Sequence, residues 1–289
     1  MNYCFIVNPA SGRGKGRAIG NTLQTLIKEK KLDATLEFTK APSHGIKLAL
    51  KAAERFECIV AVGGDGTLNE VVNGIANSGS KLGLLPVGSG NDFAHALKIP
   101  SDLEHSLDRL LAGKTKKIDL GKANGRYFHN GLGIGFDAHV VHTSLNVKRL
   151  RGNAIYLYSV LRTLFKYRPV PLHMQYNGQM HTGDYFMITV GNGVSLGGGF
   201  HLTPDALLDD GQFDLCLIQN MPLPSVLRNL LKVYSGKHKE DPRVKIVRSD
   251  HVKIRSEKPF AVHLDGELLG MDLTELDVQI VPAALEVFC

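Results

Sequence analysis

The sequence predicts two domains of different class: an N-terminal α/β domain on a parallel sheet, then a mainly β domain with an antiparallel, sandwich-like arrangement. Three observations lead there. Over residues 1–117, apolar strand-like runs alternate with helical periodicity. Beyond Lys117, short strand-like runs follow one another with Gly, Asn and Asp between them. The chain's 289 residues exceed what one ordinary domain needs, and 43% hydrophobic with 21% charged residues supply material for two cores.

The elements follow in order. Tyr3 to Val7 is an apolar strand ending at Asn8-Pro9. A Gly/basic stretch over 11–17 leads into helical spacing through Lys31, and 34–38 alternates like a strand. Ser43 is placed as the N-cap of a helix carrying Ile46, Leu48, Leu50 and Ala53. The unbroken run Cys58-Ile59-Val60-Ala61-Val62 suits a strand buried on both faces. A helix is expected over 67–76, a strand over 82–87, and a capping box at Ser101-Asp102-Leu103-Glu104 opens a helix ending near Gly113. The second domain, 118–282, begins with a hairpin on Asn124-Gly125. Strands are expected over 172–176, 185–190, 213–218, 244–247, 252–254, 261–264 and 278–281, with helices over 154–167 and 225–235. Residues 283–289 are expected to rejoin the first domain.

No apolar run reaches the ~20 residues needed to cross a bilayer, and the N-terminus lacks a basic region and longer apolar core, so a cytoplasmic protein is expected. Cys4, Cys58 and Cys216 lie in apolar runs and Cys289 is the last residue; no pair has metal-site or redox spacing, as suits buried free thiols. A formal net charge of +6 favours anionic partners without choosing among them.

Three glycine-rich turns each follow an expected strand: Asn8-Pro9-Ala10-Ser11-Gly12-Arg13, Gly63-Gly64-Asp65-Gly66-Thr67 and Gly88-Ser89-Gly90-Asn91-Asp92. In an open parallel sheet such turns gather at the carboxyl ends of the strands, where ligands bind. Glycine admits an anion close to backbone N–H groups, helix starts near Thr67 and Asp92 favour negative charge, and Arg13 and Lys15 add point charges. One such turn also serves a plain strand-to-helix connection; three, each carrying Ser, Thr, Asn or Asp, favour phosphate. No Walker A loop is present. Asp65 would be repelled by phosphate unless a Mg²⁺ ion lay between, though it also suits the N-cap of the helix at Thr67.

Together, Asn8-Pro9-x-Ser11-Gly12, Gly63-Gly64-Asp65-Gly66-Thr67-Leu68-Asn69-Glu70 and Gly88-Ser89-Gly90-Asn91-Asp92-Phe93-Ala94 resemble the diacylglycerol kinase catalytic domain, the family of soluble bacterial diacylglycerol kinases and related lipid kinases. Gly133-x-Gly135-Phe136-Asp137, Leu208-Asp209-Asp210-Gly211 and Leu264-Asp265-Gly266-Glu267 extend the resemblance through the second domain. The resemblance implies an ATP-dependent lipid kinase with its active site in a cleft between a nucleotide-binding domain and a β-rich lipid-substrate domain. It implies ATP contacts at Asn8, Pro9, Ala10, Ser11, Gly12, Arg13, Thr39, Gly63, Gly64, Asp65, Gly66, Thr67, Asn69, Glu70 and Ser89. Glu267 stands at the position of the proposed proton acceptor, with Asp265 beside it, and Asp119 at a further acidic active-site position. Asp210, with the carbonyls of Leu207 and Gln212, matches a structural Mg²⁺ site. His95 departs from the pattern where a bacterial relative carries Arg, which touches substrate preference more than reaction type. Local sequence alone reads Asp265-Gly266 as a hairpin turn and Asp209-Asp210-Gly211 as a surface turn.

The acceptor expected from the resemblance is diacylglycerol, giving phosphatidic acid. Residues 145–170 mix Lys148, Arg149, Arg151, Arg162, Lys166 and Arg168 with Ile155, Tyr156, Leu157, Tyr158, Leu161, Leu164 and Phe165. That pattern suits reversible peripheral contact with the inner face of the membrane, and equally an ordinary helix with a basic face in water. An exposed strand edge in the second domain leaves homodimerisation open. No nucleic-acid recognition motif is found. The alternatives are an NAD kinase-like enzyme, which shares Gly-Gly-Asp-Gly-Thr, and a nucleotide-binding regulatory protein without turnover.

Overall fold

The computed structural model describes residues 1–88, 90–147 and 153–289. The chain forms two compact units: residues 1–120, 127–129 and 281–289, and residues 121–126 and 130–280.

In the first unit, β1 (Tyr3–Val7), α1 (Lys15–Glu29), β2 (Ala34–Phe38), α2 (His44–Ala53), β3 (Cys58–Gly63), α3 (Asp65–Ile75) and β4 (Lys81–Pro86) alternate as the sequence predicts. The strands pair in parallel in the order β2-β1-β3-β4, with Tyr3 level with both Ala34 and Cys58. Every residue of β1 and β3 is buried, because helices cover both faces. Ile19, Leu23, Leu26 and Ile27 recur at helical spacing along α1 and pack on Phe5, Val60 and Leu107 in the core. The short α4 (Asp92–Ala96) and α5 (Leu103–Leu111) follow. The cap of α5 is Asp102, whose carboxylate accepts from the His105 N–H, not Ser101 in a capping box. Ser43 sits at the cap of α2 with positive φ and no side-chain bond to the helix.

β5 (Thr115–Ala123) and β6 (Arg126–Phe128) form the hairpin expected on Asn124-Gly125. The second unit adds β7 (Gly131–Gly135), α6 (Phe136–Leu145), α7 (Asn153–Lys166), β8 (Pro171–Tyr176), β9 (Gln179–Gly191), β10 (Phe213–Gln219), α8 (Leu223–Val233), β11 (Val244–Ser249), β12 (His251–Leu264) and β13 (Glu267–Phe288). Its strands run antiparallel in the order β11-β10-β9-β7-β12-β13, with β8 joined to β9 and β12. Two expectations are corrected. The runs 252–254 and 261–264 are one strand, β12, interrupted by a register shift between Arg255 and Phe260. The run 278–281 is the middle of β13, whose end pairs in parallel with β4 at Val287 and Leu82. β7 and α6 were not expected at all. The two-class architecture itself is as predicted.

Cys4, Cys58 and Cys216 are buried free thiols. Burial pushes Cys4 up to about 11 and Cys58 to about 12, so neither is a nucleophile at neutral pH.

A buried carboxylate ties α8 to β11. Asp241 accepts from Arg243 Nε and Nη2 at 3.0 Å and from Asn229 Nδ2 at 2.9 Å. The Arg243 hydrogen bonds hold its carboxyl well below the usual carboxylate range. Asp241→Ala strands Asn229 and Arg243, and we expect a loss of roughly 2–4 kcal/mol in a denaturant titration at pH 7. Because the folded value is depressed, this contribution is complete above the ordinary carboxylate pKa of about 3.9 and fades as pH falls below it.

Candidate active site

The three glycine turns of the first unit meet at the carboxyl ends of β1, β3 and β4. Asn8 Nδ2 donates to Thr67 Oγ1 at 3.0 Å, joining the first turn to the second. The N–H of Asn91 donates to Asp65 Oδ2 at 2.8 Å, joining the second to the third. Gly12, at φ +57°, presses so close to the third that a Cβ there would lie 2.4 Å from the carbonyl oxygen of Val87. Only glycine fits both the left-handed backbone and that approach.

The turns enclose an open cleft of about 470 Å³ lined by Ser11, Gly12, Arg13, Lys15, Gly64, Asp65, Gly66, Val87, Gly88 and Gly90. Its size suits a nucleotide-scale ligand. Arg13 and Lys15 are exposed on it, and the amino end of α3 opens into it at Gly64 and Asp65. These are the features of an anion cradle: backbone N–H groups, a helix start and exposed cations. Asp65 is the first residue of α3; the cap is Gly64, so Asp65 is not an N-cap.

Other expected nucleotide residues lie further back. Thr39 is buried and its N–H donates to Val7 at 2.9 Å. Asn69 is wholly buried and its side-chain oxygen accepts from Asn73 at 3.2 Å. Glu70 spends both carboxylate oxygens at 2.7 Å on the Ser43 and Gly45 N–H groups, supplying the α2 cap that Ser43 does not. His95 is exposed on α4. Asp119 is buried on β5 and accepts from the Ala283 N–H at 2.7 Å. Ser89 lies outside the described residues, as do Lys148, Arg149 and Arg151.

In the second unit Leu264 pairs with Glu267 across a two-residue turn, Asp265-Gly266, with φ +49° and +83°. Positive φ at both positions is the hairpin geometry that matches strand twist. Asp265 anchors the turn: its Oδ1 accepts from the N–H groups of Asn130 and Gly131 at 2.9 Å each, and its own N–H donates to Gly131. The turn lifts Glu267 to a partly exposed position, with Oε2 3.5 Å from Nη2 of Arg126.

A cavity of about 100 Å³ lies among the helices and strands of this unit. Phe136, Val160, Leu164, Phe186, Met221 and Val226 are among the apolar side chains of its wall, whereas Asp137, His263 and Gly266 contribute polar groups. Leu207, Asp210 and Gln212 are elsewhere. There Asp210 pairs with Arg248, whose Nε also lies 3.4 Å from Asp214. Arg248 thus brings a positive charge to both carboxylates. Arg248 is the partner that the local run Asp209-Asp210-Gly211 could not reveal.

Comparison with known proteins adds to this geometry. Residues 2–123 match the diacylglycerol kinase catalytic domain, and residues 131–289 match the YegS C-terminal NAD kinase beta sandwich-like domain. The chain is 33% identical over 276 residues to a diacylglycerol kinase of Bacillus subtilis, covering 92% of this chain and 90% of the relative. It is 34% identical over 280 residues to a diacylglycerol kinase of Staphylococcus aureus, covering 92% and 86%. The crystal structure of a diacylglycerol kinase from Bacillus anthracis matches with a TM-score of 0.75 at 22% identity, covering 99% of this chain and 96% of that one. Yeast NADH kinase complexed with NADH matches with a TM-score of 0.51 at 13% identity, covering 100% and 83%, a likeness of fold alone. The chain therefore belongs to the diacylglycerol kinase family, and it is a lipid kinase that transfers phosphate from ATP to a hydroxyl group.

Proposed function

We propose that the chain phosphorylates the free hydroxyl of diacylglycerol, giving phosphatidic acid, with ATP bound as its Mg²⁺ complex. The observation that carries the acceptor is the apolar cavity of the second unit, whose wall suits acyl chains and whose polar groups include the turn before Glu267.

The Mg²⁺ ion fits the nucleotide cleft on chemical grounds. Asp65 brings a carboxylate to a cleft otherwise lined by glycines, Ser11, Val87 and the cations Arg13 and Lys15, and Mg²⁺ is commonly held by one or two carboxylates together with phosphate oxygens and water. When bound, the ion neutralises phosphate charge. Arg13, Lys15 and the backbone N–H groups of the turns hold and orient the phosphates. Glu267 accepts the proton of the attacking hydroxyl, and Asp265 holds the turn that presents it.

Lipid must be drawn from a membrane. Among the described residues no helix is long and apolar enough to cross one. Two helices suit a surface contact. On α7, Leu157, Leu161 and Phe165 are exposed beside Arg162 and Lys166, while Val160 and Leu164 face the cavity. On α8, Leu227 and Leu231 are exposed beside Arg228 and Lys232, while Val226, Leu230 and Val233 face it. Exposed apolar side chains ringed by cations favour an anionic bilayer. Replacing Leu161 and Phe165 together by Glu should weaken binding to anionic vesicles about tenfold or more, corresponding to ~1.4 kcal/mol or more. Co-sedimentation at two salt concentrations reads both this loss and the electrostatic share.

The direct test is incubation with Mg²⁺, labelled ATP and mixed micelles containing diacylglycerol. Labelled phosphatidic acid is expected. Label appearing only on another lipid, or on NAD, would replace diacylglycerol as the acceptor.

A further inference from the structure

His263 is a polar residue in an otherwise apolar strand segment, Phe260 to Leu264, and it is 3% exposed. Its ring is fixed from both sides. Nδ1 accepts the N–H of Gly266 at 3.2 Å, so the ring proton resides on Nε2, which faces Oδ2 of Asp137 at 3.3 Å. Asp137 is itself mostly buried, and its other oxygen accepts the N–H of Ala138 at 2.9 Å. The backbone has been cleared for this pair. A Cβ on Gly133 would lie 1.9 Å from Asp137 Oδ2 and 2.3 Å from His263 Nε2, so the strand beside the pair tolerates no side chain there.

Gly266 is the residue between Asp265 and Glu267. Two independent devices thus hold this turn: Asp265 on the backbone of Asn130 and Gly131, and His263 on the Gly266 N–H. Asp137, His263 and Gly266 also line the apolar cavity. We propose that Asp137 and His263 are a positioning pair: Asp137 selects the Nε2–H tautomer of His263, and the free Nδ1 then fixes the orientation of the Gly266 peptide and so of Glu267. This rests on Glu267 being the proton acceptor. A carboxylate displaced by about 1 Å can cost on the order of 10² in rate, so the pair acts on turnover more than on lipid binding.

The amide variants separate the two ends of the ring. Asn places its oxygen near the Nδ1 position and preserves the bond to Gly266; Gln reaches towards the Nε2 position and preserves only the contact with Asp137. We expect His263→Asn to keep kcat within about threefold of wild type. His263→Gln should lower kcat about 10- to 100-fold with KM for diacylglycerol within about twofold. A purely packing role predicts similar losses in both variants, and a lipid-binding role predicts a loss in KM; either result overturns the proposal. A readout independent of turnover is the ring ¹⁵N spectrum of His263 in the intact protein, with hydrogen exchange at the Gly266 amide. The Nε2–H tautomer, and faster exchange in the Gln than in the Asn variant, are expected. An Nδ1–H tautomer, or equal exchange, overturns the pairing even if the wild-type protein phosphorylates some other acceptor, whereas the expected spectra with an inactive wild type would place the failure in the functional reading.

Discussion

Glu267→Gln is expected to lower kcat about 10²–10⁴-fold, the usual worth of a positioned general base. The substitution keeps the shape of the side chain and the hairpin beneath it, which rests on the backbone pairing of Leu264 with Glu267 and on the side chains of Asp265 and His263. It removes a partly exposed ion pair with Arg126, and exposed pairs contribute only about 0–1 kcal/mol. Thermal stability and ATP affinity should therefore be close to wild type, and single-turnover kinetics should show the loss in the transfer step. A variant with near-normal kcat would remove Glu267 from the role and leave the hairpin as a structural turn.

Asp65→Asn should lower turnover about 10²–10³-fold and raise the Mg²⁺ concentration needed for half-maximal rate, as expected where a fixed charge is withdrawn from a phosphate site. Asn is the informative substitution because Asp65 has two duties. Its Oδ2 accepts the Asn91 N–H and so braces the third glycine turn; an amide oxygen can still do that, but it carries no charge. Asp65→Ala removes both. Initial rates against Mg²⁺ for the two variants divide the duties. Wild-type Mg²⁺ dependence in the Asn variant, with the Ala variant inactive, would make Asp65 a brace and nothing more.

The parallel half of the molecule was legible because three of its strands, β1, β3 and β4, run into glycine or Asn-Pro punctuation and its strands alternate with helical periodicity. The same rules fail in the second unit for identifiable reasons. Gly131-Leu132-Gly133-Ile134-Gly135 looks like a turn, yet it is the buried strand β7, and its glycines make way for neighbouring side chains. α6 carries apolar residues without a clear one-sided period, so nothing marked it as helical. The polar run Ser256-Glu257-Lys258-Pro259 hid the continuity of β12, which absorbs it as an irregularity in register.

The candidate site divides similarly. Glycines that cradle a ligand leave a local signature, and those turns do line one cleft. Partners distant in sequence leave none. Glu70 caps a helix 25 and 27 residues earlier, Asp210 meets Arg248 38 residues later, and Asp137 meets His263 126 residues away. His263 alone gave a hint, as an imidazole in an apolar strand run.

The last residues of the chain belong to the first unit, where β13 supplies a strand beside β4, Glu286 pairs with Lys81 and Phe288 joins the core. On the ribosome, the nucleotide-binding unit therefore waits for residues 281–289 to emerge, long after its first 120 have been made. Until then β4 lacks a neighbour on one side, and an unpaired strand edge invites non-native pairing. Synthesis order thus couples completion of the nucleotide-binding unit to prior synthesis of the second unit, which lies between its parts in the sequence.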